Sequence, residues 1–200
     1  MADDNFELSP IARARLERVG RFTDEQRLAL QREQEVEQML SSYYTGSLDK
    51  DGLWQRGKEL TDKYGASVIK EAQGSVLKTL RLHMNDEDFE RRQNAVLALE
   101  ALKKTDRYSS IESLLGSVSS LRQRFSEVTA QAFEQVRAQM EPQIRAQAEQ
   151  ARMQGMLVDT TSTIETSIKG SPEWQQFMSR HEASHEQTLH DYIDRISSML

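Results

Sequence analysis

The sequence contains no cysteine. Disulfides, thiolate metal sites and cysteine nucleophiles are therefore excluded. Turn formers are scarce as well: nine glycines and three prolines stand among 200 residues, about half of ordinary usage. A sandwich or barrel of many short strands needs far more of them. No apolar run approaches the 18 or so residues that a membrane span requires, so no membrane segment is expected. The start, Met1-Ala2-Asp3-Asp4, is acidic where a secretory leader is basic, and a cytoplasmic protein is the simplest expectation.

What the chain does have is charge. Lysine and arginine number 26 and aspartate and glutamate 32, for a net charge of −6, with mean hydropathy −0.70. Such a surface is well solvated and has no global field that draws nucleic acid or anionic lipid. Locally, Arg13, Arg15, Arg18 and Arg21 against Glu17 leave residues 11–22 at +3. Asp24 and Glu25 dilute that patch and no aromatics interleave it, so nucleic acid is not an expected partner.

Helix punctuation is dense. Ser9–Pro10 pairs a hydroxyl cap with proline at the first helical position, and Ile11, Leu16, Val19 and Phe22 supply an apolar side. Residues 1–8 read as a flexible tail. Thr23 and Gln26 have the form of a capping box that opens a helix to about Tyr44. Asp49 or Asp51 caps the next, which stops at Gly65. A further helix is expected from Ala66 to about Met84, followed by one that Asn85 caps and Lys103 and Lys104 close. Another short helix follows Asp159, and Ser171–Pro172 opens the last, which runs to about Met199.

Residues 110–152 form the longest helical stretch. Leu114, Val118, Leu121, Phe125, Val128 and Ala132 follow a coiled-coil-like 4-3-4-3-4 spacing. Val136, Met140, Ile144 and Ala148 then recur every four residues, as do Gln131, Gln135, Gln139, Gln143 and Gln147. Each four-residue step advances about 40° around a helix, so the stripe must change partners, wrap one or bend. Pro142 predicts a kink or break. A continuous helix here would be roughly 64 Å long, so it folds back or protrudes and needs a second chain to cover it.

One motif carries chemistry. His181-Glu182-Ala183-Ser184-His185 matches H-E-x-x-H. On a helix, imidazoles four apart share a face and can both reach a zinc ion. The glutamate between them can then act as general base. Trp174, Met178, Leu189, Tyr192, Ile196 and Met199 define an apolar stripe on this helix, and the two histidines fill its gap, which points them inward. A hydrolytic site needs a third ligand as well. His190 lies five residues on with no preceding glycine to turn the chain. On a continuous helix it is rotated about 140° away. His83, Glu71 or Glu87 from another helix remain candidates. Dinucleotide, P-loop, nucleophile-elbow and EF-hand patterns are absent.

These readings predict an all-α protein, a bundle of about six or seven helices with one long helix at 110–152. Residues 9–200 form a single helical domain, with a division into 9–105 and 106–200 as the alternative. The expected function is non-enzymatic: a helical interaction or regulatory module that self-associates or binds a protein partner, without a cofactor. The alternative is a zinc-binding protein or metallohydrolase, with His181 and His185 as ligands, Glu182 as the catalytic base and the third ligand unknown.

Overall fold

The computed structural model describes residues 23–155 and 159–200. The expected tail and the Ser9–Pro10 helix start lie outside them. Seven helices and no strand are present among the described residues: α1 (Asp24–Tyr44), α2 (Lys50–Tyr64), α3 (Ser67–Leu77), α4 (Asp86–Lys103), α5 (Tyr108–Met153), α6 (Thr160–Gly170) and α7 (Pro172–Met199). The protein is an all-α bundle.

Local chemistry sets the boundaries. At α1 the capping box is complete, with the Thr23 hydroxyl accepting from the Gln26 amide and the Gln26 side chain accepting from the Thr23 amide. Asp49 caps α2, Asn85 caps α4 and Ser171 caps α7, with Pro172 in the first turn. Gly65 ends α2 at φ +85°, a conformation that costs glycine least. The third helix stops at Leu77 rather than continuing to Met84. The Thr79 hydroxyl and the Arg81 guanidinium donate to the carbonyls of Val76 and Lys78. Side chains that bond nearby backbone in this way compete with the helical ladder.

Two apolar cores result. The larger gathers Val36, Leu53, Ile69, Leu77, Leu99, Ile111, Leu115, Leu189 and Ile196, drawn from α1 to α5 and the end of α7. Each such side chain contributes about 1.5–3 kcal/mol on burial. The smaller holds Ile144, Ile164, Ile168 and Trp174, with Phe133, Val136 and Met140 packed against it. It joins the second half of α5 to α6 and the start of α7. Long helix α5 is common to both cores.

The chain does not fold back at Pro142: α5 runs through it unbroken for 46 residues. Proline removes one backbone hydrogen bond and crowds the carbonyl of Ala138. Contacts on both sides hold the helix across that defect. Glu141 is bound by Arg137 at 3.0 Å and by Arg145 at 2.5 Å, while Ile144 and Ala148 are buried.

One polar cluster locks the ends of α4 and α7 together. Glu100 is 1% exposed and accepts from Gln73 at 2.9 Å, Lys103 at 2.9 Å and Thr105 at 2.5 Å. Lys103 also donates to the carbonyl of Leu200, and Arg107 to that of Met199. Burial pushes the Glu100 carboxyl up, but hydrogen bonds from Gln73, Thr105 and Lys103 together outweigh it and hold the group below the ordinary 4.5.

Candidate functional site around Phe125

The H-E-x-x-H segment lies in the middle of α7, where that helix packs along α5. Both histidines turn toward α5, as their place in the apolar stripe predicts. The His181 ring stacks on Phe125 with centroids 4.7 Å apart and planes 11° from parallel, and on Phe177 at 5.0 Å and 19°. Its Nε2–H donates to the backbone carbonyl of Phe125 at 3.2 Å. His185 meets the same phenyl ring edgewise at 5.4 Å, and its Nδ1–H donates to the carbonyl of His181 at 2.9 Å. A carbonyl can only accept, so each bond fixes which ring nitrogen carries hydrogen in the neutral imidazole. The lone pairs left over are on Nδ1 of His181 and Nε2 of His185.

His83, one of the candidate third ligands, also reaches this place. Its ring abuts Phe125 edgewise at 5.0 Å, and its Nε2 lies 3.2 Å from a Glu182 carboxylate oxygen. Three of the four histidines therefore surround one phenyl ring, and the motif glutamate pairs with the third of them at the protein surface. Glu71 and Glu87 are elsewhere: Glu71 pairs with Arg32 at 2.9 Å and Glu87 with Arg91 at 3.0 Å. His190 is exposed and donates to its own helix at the Glu186 carbonyl. Among the described residues, no group of three or more histidine, aspartate or glutamate side chains is gathered to hold one metal ion.

The position of His83 depends on Arg122, whose importance the sequence hides. Arg122 is 7% exposed. It donates to the carbonyl of Met84 and to Asp86, and its guanidinium lies 4.4 Å from the Phe89 ring centre. These contacts tie the segment after α3 to the flank of α5 and bring His83 to Phe125. The apolar spacing placed Leu121 on the seam, yet Leu121 is only half-buried and the neighbouring arginine goes in.

Aromatic contacts continue along α7. Phe177 meets Trp174 at 5.6 Å, and Trp174 meets Phe133 edgewise at 5.3 Å. A continuous column thus links Phe133 and Trp174 of the smaller core to Phe125 of the larger. Aromatic pairs contribute about 0.5–1.5 kcal/mol beyond their burial. The two motif histidines are links in that column. Beside it a cleft of about 990 Å³ opens between the segment after α3, one face of α5, and α6.

The fold and this site define a class: an all-α bundle built on one long helix, with its histidine motif packed at the junction of two cores. Residues 54–198 match a family of unknown function, DUF6657, and the chain belongs to that family. No curated protein and no solved structure matches it. Among the described residues no helix is long and apolar enough to cross a membrane.

Proposed function

We propose that this protein is a non-enzymatic helical interaction module of the cytoplasm that self-associates through α5. One observation carries the reading. Gln135, Gln139, Pro142, Ala146 and Gln150 are all exposed, and their 4-3-4-4 spacing places them within about 80° of one another on the helix. The seam runs about 22 Å without a charge, although Glu134, Arg137, Glu141, Arg145 and Glu149 surround it.

Those charges largely satisfy one another. Arg137 binds both Glu134 and Glu141, and Glu141 binds Arg145. The seam itself can therefore be covered without stripping water from an ion. Glutamine amides both donate and accept, so the seam is self-complementary across a two-fold axis, as an isologous dimer requires. A second copy of this chain is the occupant.

Light scattering tests this. The expected result is a mass near twice the 23.0 kDa of the chain, falling to the monomer value in the Gln139→Glu, Ala146→Glu double variant. A monomer at every concentration, or a dimer indifferent to both substitutions, overturns it.

A further inference from the structure

The cleft beside the aromatic column has two unlike ends. Its floor is one face of α5, on which Arg122, Ser126, Thr129 and Phe133 fall within about 60° of one another. About 16 Å of helix separates Arg122 from Phe133. Residues 82–86 wall the first end, and Trp174 stands edgewise to Phe133 at the second. A volume of about 990 Å³ suits a small organic molecule rather than a lone ion.

The first end carries a cation that the protein leaves partly unsatisfied. Arg122 is 7% exposed, and its Nη2 serves both of its hydrogen-bond partners, the Met84 carbonyl and Asp86 at 3.2 Å. Its Nε is buried without a partner, and its Nη1 has none among the described residues. The Asp86 side chain is fully exposed, so water screens that pairing. A sheltered charge short of hydrogen bonds is costly, and an anion on Nη1 offsets that cost.

The second end repels negative charge. Glu127, Glu134 and Glu165 line it, and Lys169, the ammonium group beside them, lies 3.9 Å from Glu165. Like charges held this close disfavour one another. Between the two ends the floor is uncharged: Ser126, Thr129 and Ala130 lie along it.

We infer that the cleft binds an amphiphilic monocarboxylate, its head on Nη1 of Arg122 and its apolar tail running along α5 to Phe133 and Trp174. A carboxylate accepts strong, charge-assisted hydrogen bonds from a guanidinium. One negative charge is the limit, because the carboxylates at the far end oppose a second. The tail gains by covering the apolar surface of Ala130 and Phe133, and the length of the floor fits a medium-chain fatty acid. The floor is turned about 130° around α5 from the Gln135–Gln150 seam, so ligand binding and self-association are independent.

Trp174 reports occupancy. Trp54→Phe leaves it, at 9% exposed, as the only tryptophan of the full-length chain. In that protein, decanoate below its micelle concentration is expected to change Trp174 emission saturably, with helical circular dichroism unchanged. Decanol has the same chain without the charge and is expected to bind at least about tenfold more weakly, the worth of one charge-assisted hydrogen bond. Arg122→Met is expected to weaken decanoate to the decanol value. Because Arg122 also holds residues 82–86, Ala130→Glu is the second variant: an exposed floor position gains a carboxylate while Arg122 stays. It is expected to weaken decanoate and leave decanol near its parental affinity, and Lys169→Met is expected to change neither. Equal affinity for decanoate and decanol, a response that depends on Lys169 rather than Arg122, indifference to Ala130→Glu, or no saturable response overturns the proposal.

Discussion

His181 makes two contacts with one residue: its ring lies flat on the ring of Phe125 at 4.7 Å while its Nε2–H donates to the Phe125 carbonyl at 3.2 Å. Stacking and hydrogen bond together fix the imidazole between α5 and α7. Both belong to the packing of two helices, and they leave Nδ1 as the ring nitrogen with a free lone pair.

The first prediction concerns that stack. His181→Ala leaves a gap between Phe125 and Phe177 and is expected to cost about 2–4 kcal/mol, in the range of large-to-small substitutions at packed sites. His181→Phe is expected to cost less than about 1 kcal/mol, because the stack survives. The Phe125 carbonyl also keeps the Thr129 hydroxyl at 2.7 Å. Urea unfolding of the three proteins gives both values, and an alanine variant as stable as the parent sinks the structural role.

Zinc separates the two functional readings. After exposure to zinc and exhaustive dialysis, the full-length protein is expected to retain well under one equivalent, and His185→Ala is expected to leave that amount unchanged. Among the described residues no third ligand is gathered with the two imidazoles, and two alone make a weak site. One tightly held zinc per chain, lost in His185→Ala, restores the metal reading.

Acid dependence follows from Glu100. Its folded-state titration lies below the ordinary 4.5, so its contribution to stability is fully present above that pH. The contribution fades as pH falls through the lower folded value. Unfolding free energy is expected to drop below pH 4.5 in the parent and more shallowly in Glu100→Gln. At neutral pH, Lys103→Met leaves the buried carboxylate without its cation and is expected to cost about 3 kcal/mol. Identical acid slopes for parent and Glu100→Gln would remove Glu100 from this account.

Two glycines are expected to respond in opposite directions. Gly65 has φ +85° and ψ 171°, a region nearly closed to side chains, and Gly65→Ala is expected to destabilise by about 1–3 kcal/mol. Gly116 lies inside α5 with nothing within 4 Å of an added Cβ. There Gly116→Ala is expected to stabilise by about 0.5–1 kcal/mol, through helix propensity alone. Thermal unfolding reads the sign of each.

Most helix boundaries were legible because they are local. Thr23, Asp49, Asn85 and Ser171 cap through their own side chains, three residues or fewer from the amides they satisfy. Where the expectation erred, a distant group or a wider set of contacts intervened. Helix α3 ends early at a turn that Arg92 of α4 also grips through the Thr79 hydroxyl. At Pro142, where a kink or a break is expected, α5 continues as one helix, because contacts on either side outweigh one lost hydrogen bond. The inward turn of His181 and His185 followed from the apolar stripe of α7. Their partner Phe125 did not, since nothing in a pattern on one helix says which residue of another it meets.

The sequence by itself determined the fold class, the scarcity of turns, the capped helix ends and the absence of cysteine chemistry. Each depends on composition or on residues within a turn or two of one another. Tertiary structure alone decided that α5 is one helix serving two cores, that Arg122 is buried, and that His83 and Glu182 meet across 99 positions. Those outcomes depend on how amphipathic faces share out their contacts. Several arrangements satisfy the same stripes, and only the packed molecule selects one.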